Sequence, residues 1–261
     1  MAMRNPTTDI SQYRRSKRRA GNFRWLLIAV FFLACATSGY TFSRSSFFAV
    51  RQVMISGNQT VHAERLRQLA GVDLGQNIFT VDADQVRQRL FIEPFVAAAQ
   101  VQLRIPGTVN IIIVERQPAA VLATGHAFVQ IDNTGLVLRR MRELDTVRLP
   151  ILSGVNNFPA GIMPGSFIEG EEIQVALTVL NMLPELSVQS VTEIDVTDSQ
   201  KIRLYTTGGI EVRVGGPTDI AEKYVLAANI IYDAQMSGKA ADIRYIDISS
   251  TEKPVINYYR Q

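Results

Sequence analysis

Cysteine is almost missing from this chain of 261 residues: Cys35 stands alone, inside an apolar run. An intramolecular disulfide and a cysteine-based zinc cluster are thereby excluded, so packing has to stabilise the fold. Histidine is nearly as scarce. His62 falls near an expected helix start and His126 in an expected loop, and neither belongs to an H-x-x-x-H or HExxH spacing that would hold a metal. No G-x-S-x-G elbow is present, and Ser153 in "ILSGV" lacks the first glycine that would expose a nucleophile. The Gly-Gly pairs at 208–209 and 215–216 suit a hairpin turn and a strand-to-helix corner, because no GxxxxGK follows to cradle phosphate. Asp195, Asp198 and Asp247 fall at expected strand edges, where solvated carboxylates are routine. With no groups that converge, the sequence reads as a protein that is not an enzyme, with no catalytic residues, no metal site and no cofactor.

Acidic charge is nearly missing from the N-terminal stretch. Met1 to Arg24 carry seven basic residues and one acid, whereas the rest of the chain is slightly acidic. Trp25 to Ser43 then contain no charged residue at all. As a helix this run of 19 residues spans about 28 Å, near the hydrocarbon thickness of a bilayer. Three readings stay open: a transmembrane anchor; a cleaved signal peptide, because Ala34-Cys35-Ala36 is an A-x-A site; and a lipoprotein signal ending at Cys35. Each sends the body across a membrane. On the anchor reading, the cluster Arg14, Arg15, Lys17, Arg18, Arg19 and Arg24 keeps the N-terminus in the cytoplasm by the positive-inside rule and attracts anionic lipid. Nucleic acid is not an expected partner, because no folded motif accompanies the basic tail.

Beyond Arg44 the pattern changes to short strands and helices. "FFAVRQVMISGN" (47–58) reads as a strand ending in a Gly-Asn turn. Thr60 is placed to cap a helix bearing Leu66, Leu69 and Ala70, with Gly71 at its stop, and Asp82 to cap a second bearing Val86 and Leu90. "VQLRIPG" and "TVNIIIVERQP" then form a hairpin around Pro106-Gly107. In its returning strand Val109, Ile111 and Ile113 are expected to face the helices, leaving Ile112 and Val114 on the other side. The order is β-α-α-β-β. Past Pro118, "FVQIDNTGLVLRR" (128–140) and "IRLYTTGGIEVRVGG" (202–216) read as hairpins, Gly170 to Leu183 as a helix, and Thr218 as the cap of a helix bearing Ile220, Tyr224, Ala227 and Ile231. Two strands close the chain, "IRYIDIS" (243–249) and "PVINYY" (254–259). The expected class is α+β: one N-terminal transmembrane helix, a β-α-α-β-β domain, and a mainly antiparallel β domain with interspersed helices.

The first domain resembles a POTRA domain. The likeness is carried by "ISGN" (55–58), "GVDLGQNIFTVD" (71–82) and "EPFVAAAQVQLRIPGTVNIIIVERQP" (93–118). With "IDNTGLVL", "LPILSG", "GGIEVRVGG" followed by "EKYVLAANII", and "IRYIDIS" in the second domain, nearly the whole chain resembles the bacterial cell-division family FtsQ, called DivIB in Gram-positive bacteria. The divisions so expected are a basic cytoplasmic tail (1–24), a transmembrane helix (25–43), a POTRA domain (47–117) and an FtsQ-type β domain (118–261). The resemblance implies a bitopic scaffold in the inner (plasma) membrane, concentrated at the septum. Its implied partners are FtsB (DivIC) and FtsL, single-span coiled-coil proteins, with indirect control of the septal peptidoglycan synthases FtsW and FtsI. It further implies that the C-terminal region captures FtsB by strand addition. On this chain the capturing strand is Pro254, Val255, Ile256, Asn257, Tyr258 and Tyr259, supported by the strand 243–248 and the helix holding Lys223 and Tyr224. The residues themselves point the same way, because a strand ending the chain suits a sheet edge and tyrosine suits a binding hot spot. The competing reading is that both tyrosines merely complete the core. A different function class, a POTRA docking or chaperone protein of an export or outer-membrane assembly pathway, is the alternative; no repeated POTRA or run of barrel strands accompanies it here.

Overall fold

The computed structural model describes residues 11–124, 127–144, 149–155, 162–183 and 190–259. His126 lies outside the described residues, as do the side chains of the basic tail up to residue 22. Helix α1 runs from Ser11 to Ser43, and its segment Phe23–Ser43 is long and apolar enough to cross a membrane. The expected anchor is therefore the second part of a longer helix that begins in the basic tail.

After a single 3-10 turn at Ser46–Phe48 come β1 (Gln52–Ser56), α2 (Ala63–Ala70), α3 (Ala83–Leu90), β2 (Val96–Arg104) and β3 (Thr108–Glu115). The strands form a sheet of order β1-β3-β2. Asp82 caps α3 as expected, its Oδ1 accepting the backbone N–H groups of Asp84 and Gln85. Gly71, at φ +59°, follows the end of α2 in the left-handed conformation. Thr60 does not cap α2. That helix starts at Ala63, and the N–H groups of Gln59, Thr60 and Val61 all donate to the Glu115 carboxylate at 3.0, 2.7 and 2.9 Å. Alternation in β3 follows the expected faces: Val109, Ile111 and Ile113 are buried, Ile112 is half-buried, and Val114 is 56% exposed. Toward the turn the alternating apolar positions lie open instead, with Leu103 on β2 and Ile105 just past its end both exposed.

Among the described residues the rest of the chain builds one nine-stranded sheet: β4 (Ala120–Thr124), β5 (Ala127–Ile131), β6 (Val137–Met141), β7 (Ile151–Ser153), β8 (Val191–Asp195), β9 (Ile202–Thr206), β10 (Glu211–Gly215), β11 (Ile243–Asp247) and β12 (Val255–Tyr258). Their order is β12-β11-β10-β9-β8-β7-β4-β5-β6. Five neighbouring pairs are antiparallel, while β4-β7, β7-β8 and β10-β11 are parallel. The parallel pairings follow from connections too long for hairpins, two of which carry α4 (Glu171–Met182) and α5 (Ile220–Met236). Ile173, Ala176, Leu177 and Leu180 of α4 and Ile220, Tyr224 and Ala227 of α5 join one core with Ile194, Ile202, Leu204, Val212, Val214 and Ile246. Burying each of the larger aliphatic side chains contributes about 1.5–3 kcal/mol. Residues alternating with these on β9 and β10, Arg203, Tyr205, Glu211 and Arg213, make the opposite face polar. Thr218 does not cap α5: the residue before the helix is Asp219, at φ 55° and with no side-chain cap bond.

By packing, the chain forms two compact units, one of residues 1–54, 71–86 and 101–111, the other of 55–70, 87–100 and 112–261. Within the second, Arg116 pairs with Asp132 at 2.9 Å, and its N–H donates to the Phe95 carbonyl. Asp132 uses its other oxygen to hold the β5-β6 turn, accepting from the Thr134 hydroxyl and the Thr134 and Leu136 N–H groups. Burial alone would push its carboxyl pKa up, but these bonds and Arg116 bring it below the usual carboxylate range.

Candidate partner-binding edge of the large sheet

β12 is the outermost strand of the nine, with β11 on one side and, among the described residues, no strand on the other. Three things in the sequence put it there. A turn over residues 249–253 reverses the chain after β11, antiparallel pairing sets Ile246 opposite Ile256 and Asp247 opposite Val255, and Ile256 packs against the main core. The pairing slips by one residue between Ile243 and Tyr245, so that Tyr258 lies opposite Ile243. Such a bulge sharpens the local twist of an edge. The Tyr259 N–H closes the pairing on the Asp242 carbonyl at 2.8 Å.

The strand thus has two faces. Ile256 and Tyr258 stand on the helix-packed side, beside Ile246 and Ile243, whereas Val255 and Asn257 stand on the polar side, beside Asp247 and Tyr245. Pro254, Val255, Tyr258 and Tyr259 are exposed, the last three with 55%, 48% and 57% of their surface open. An open edge flanked by exposed aromatic and aliphatic side chains can take up a further strand through its main-chain groups and hold it by its side chains.

The polar face beside it is charged and ordered. The Arg213 guanidinium lies 3.7 Å from the centre of the Tyr245 ring, and its Nε donates to Glu211 at 2.8 Å. The Glu211 bond holds the Arg213 pKa above its ordinary value. Arg203 pairs with Asp195 at 2.9 Å. Burial, reinforced by Glu211, pushes the Tyr205 hydroxyl pKa up. A groove lined by Lys201, Arg203, Glu211, Arg213, Asp247 and Ser249 runs along this face.

Lys223 and Tyr224 are in a different position from the strand residues. Both are buried, at 6% and 4% exposure, and the Lys223 ammonium donates to the Val214 carbonyl at 3.1 Å. This bond ties the first turn of α5 to β10, two strands in from β12. Arg213 and Tyr245 are what sequence reasoning missed. They lie 32 residues apart and meet only because β10 and β11 pair in parallel, with Glu211 opposite Tyr245. Among the described residues, no cluster of His, Cys, Asp and Glu is placed to hold a metal ion.

Two family models match the chain in tandem: the POTRA domain of FtsQ type over residues 48–116, and the C-terminal domain of cell division protein FtsQ/DivIB over residues 120–249. A cell division protein FtsQ of Syntrophotalea carbinolica is 27% identical over 228 residues, covering 86% of this chain and 78% of that protein. A cell division protein DivIB of Clostridium acetobutylicum is 23% identical over 216 residues, covering 80% and 82%. The solved extracytoplasmic domain of the cell division protein DivIB from Geobacillus stearothermophilus aligns with 47% of this chain and 96% of that one, at 16% identity and a TM-score of 0.33, too distant to add to the assignment. Matched in order by both family models and along most of its length by these relatives, the chain belongs to the FtsQ/DivIB family of cell division proteins.

Proposed function

We propose that this division protein is a non-catalytic, single-pass scaffold that captures a partner strand on β12. The observation that carries the reading is the open outer edge of β12, with Val255, Tyr258 and Tyr259 exposed along it. The partner class is a single-span division protein of the FtsB/DivIC type, with FtsL beside it, and through them the scaffold acts on the septal synthases FtsW and FtsI. Pro254, Val255, Ile256, Asn257, Tyr258 and Tyr259 form the contact. Lys223 and Tyr224 support it from within. The chain divides into a basic tail (1–24), an anchor (25–43), a POTRA domain (47–117) and an FtsQ-type β domain (118–261), a division supported by the spans of the two family matches.

The same reading sets the tail in the cytoplasm and the body outside the inner membrane, with the protein gathered at the septum. Its support is the dense basic cluster just before an apolar helix that can span a bilayer. The test is co-purification of the full chain with FtsB/DivIC-type and FtsL-type partners. Recovery of these proteins is the expected result; recovery of outer-membrane barrel precursors in their place overturns it.

A further inference from the structure

Outside the span itself, several exposed apolar side chains of the first unit lie together at the C-terminal end of α1. Phe42, Phe47, Phe48 and Phe79 touch in series, with ring centres 5.9 Å apart for Phe42 and Phe47, 5.0 Å for Phe47 and Phe48, and 5.0 Å for Phe48 and Phe79. This is not a core. Phe42, Phe47 and Phe79 are about half open to solvent or more, and Leu74 in the same loop as Phe79 is 69% exposed.

The loop is fastened where it stands. Asn77 Nδ2 donates to the Ser43 carbonyl, the last residue of α1, at 2.6 Å, and Asn77 Oδ1 accepts the Phe79 N–H at 2.9 Å. The Val50 N–H donates to the Gln76 carbonyl, and the Gly75 N–H to the Val50 carbonyl. Phe79 is therefore held beside the end of the helix long enough to cross a bilayer, with Leu74 exposed in the same fastened loop. Charged neighbours are Arg44, whose guanidinium stacks on Tyr40 at 4.7 Å, together with Arg51 and the acids Asp73 and Asp82.

Continuity with α1 decides what covers this patch. The headgroup region adds about 5–8 Å to each side of the hydrocarbon core, which is the depth at which aromatic rings and arginines flanking a span come to rest. Leaving a phenylalanine and a leucine open to water here would forgo about 25 cal/mol for each Å² of apolar surface. We propose that the loop of residues 73–80, together with Phe47, is a lipid-docking element that sets Leu74 and Phe79 into the interfacial layer of the leaflet on the body's side. The inference rests on α1 spanning a bilayer. It gives the first unit a second point of membrane attachment, so that this unit leaves the membrane in a set orientation and does not swivel on a single helix.

The test uses the full chain in lipid nanodiscs, where both faces are reachable, with Trp25→Phe removing the native tryptophan. Leu74→Trp and Phe79→Trp are made separately, each at an exposed position that a fold can tolerate. The expected result is a blue-shifted emission, quenching by phospholipid brominated near the headgroup, and several-fold weaker quenching by aqueous iodide than for free tryptophan. Full access to iodide with no lipid quenching, in a chain that resists alkaline carbonate extraction, overturns the docking. So does shielding from iodide without lipid quenching, which would mean that protein covers the patch. Release by carbonate would bring down the spanning reading first, and the docking with it.

Discussion

Glu115 shows what one carboxylate can hold together. Its side chain gathers three backbone N–H groups from Gln59, Thr60 and Val61, a segment with no helix of its own to satisfy them. Burial alone would push its pKa up, but the bonds from Val61, Thr60 and Gln59 together bring it below the ordinary value. A carboxyl that titrates lower folded than unfolded contributes stability above the unfolded pKa, about 4.3 for Glu. That contribution is lost as pH falls from there through the folded pKa. Chemical denaturation of the wild type should therefore show stability falling below about pH 5, and Glu115→Gln should flatten that fall and cost about 1.5–3 kcal/mol at pH 7. An unchanged acid limb in the variant would remove Glu115 as its source. Gly57 is a second such point: at φ +85° an added Cβ would strike the Ile113 carbonyl. Gly57→Ala should cost more than the 0.5–3 kcal/mol of an ordinary substitution, roughly 3–4 kcal/mol by denaturant titration. The turn glycine was legible in "ISGN", but the partner of the loop after it was not, because Glu115 lies more than fifty residues further on and ends an apolar strand like any solvated acid.

Elements were legible where periodicity and punctuation agreed. "FVQIDNTGLVLRR" announced a hairpin because Asp132 and Gly135 supply both halves of its turn, a capping oxygen and a positive φ. Alternation told the buried Val109, Ile111 and Ile113 from the exposed Val114. Caps were less legible. Thr60 and Thr218 had the right chemistry at the right distance, yet α2 and α5 begin later, at Ala63 and Ile220, with the Thr60 N–H held by Glu115 and a left-handed Asp219 standing before α5. Order within the large sheet was hidden too, since β7 sits between β8 and β4 through parallel pairings that no local pattern encodes. At this scale the β12 edge makes its own prediction. Tyr258→Ala should weaken partner affinity by about 30-fold or more, the loss typical of a hot spot, while thermal unfolding stays nearly unchanged because Tyr258 is 48% exposed. Lys223→Ala should do the reverse in order of cause: it removes the bond to Val214 and leaves a void in the core, destabilising the domain by about 1.5–3 kcal/mol, with affinity falling only as β12 loosens.

For the whole molecule, a membrane anchor and a sheet edge are separate devices on one chain. On the proposed topology the basic cluster ahead of the span sets orientation, a task separate from strand capture at β12. Deletion of residues 1–24 should thus leave partner affinity intact in detergent while disturbing insertion or orientation in cells, which protease accessibility would read. Normal topology after that deletion would count against the positive-inside argument. The central claim is that β12 receives a partner strand. Hydrogen exchange of the full chain, with and without the extracytoplasmic segment of an FtsB/DivIC-type protein, tests it most directly: slowed exchange confined to residues 255–259 and their β11 neighbours is the predicted result, and protection that falls elsewhere while these amides exchange as in the free protein would contradict it.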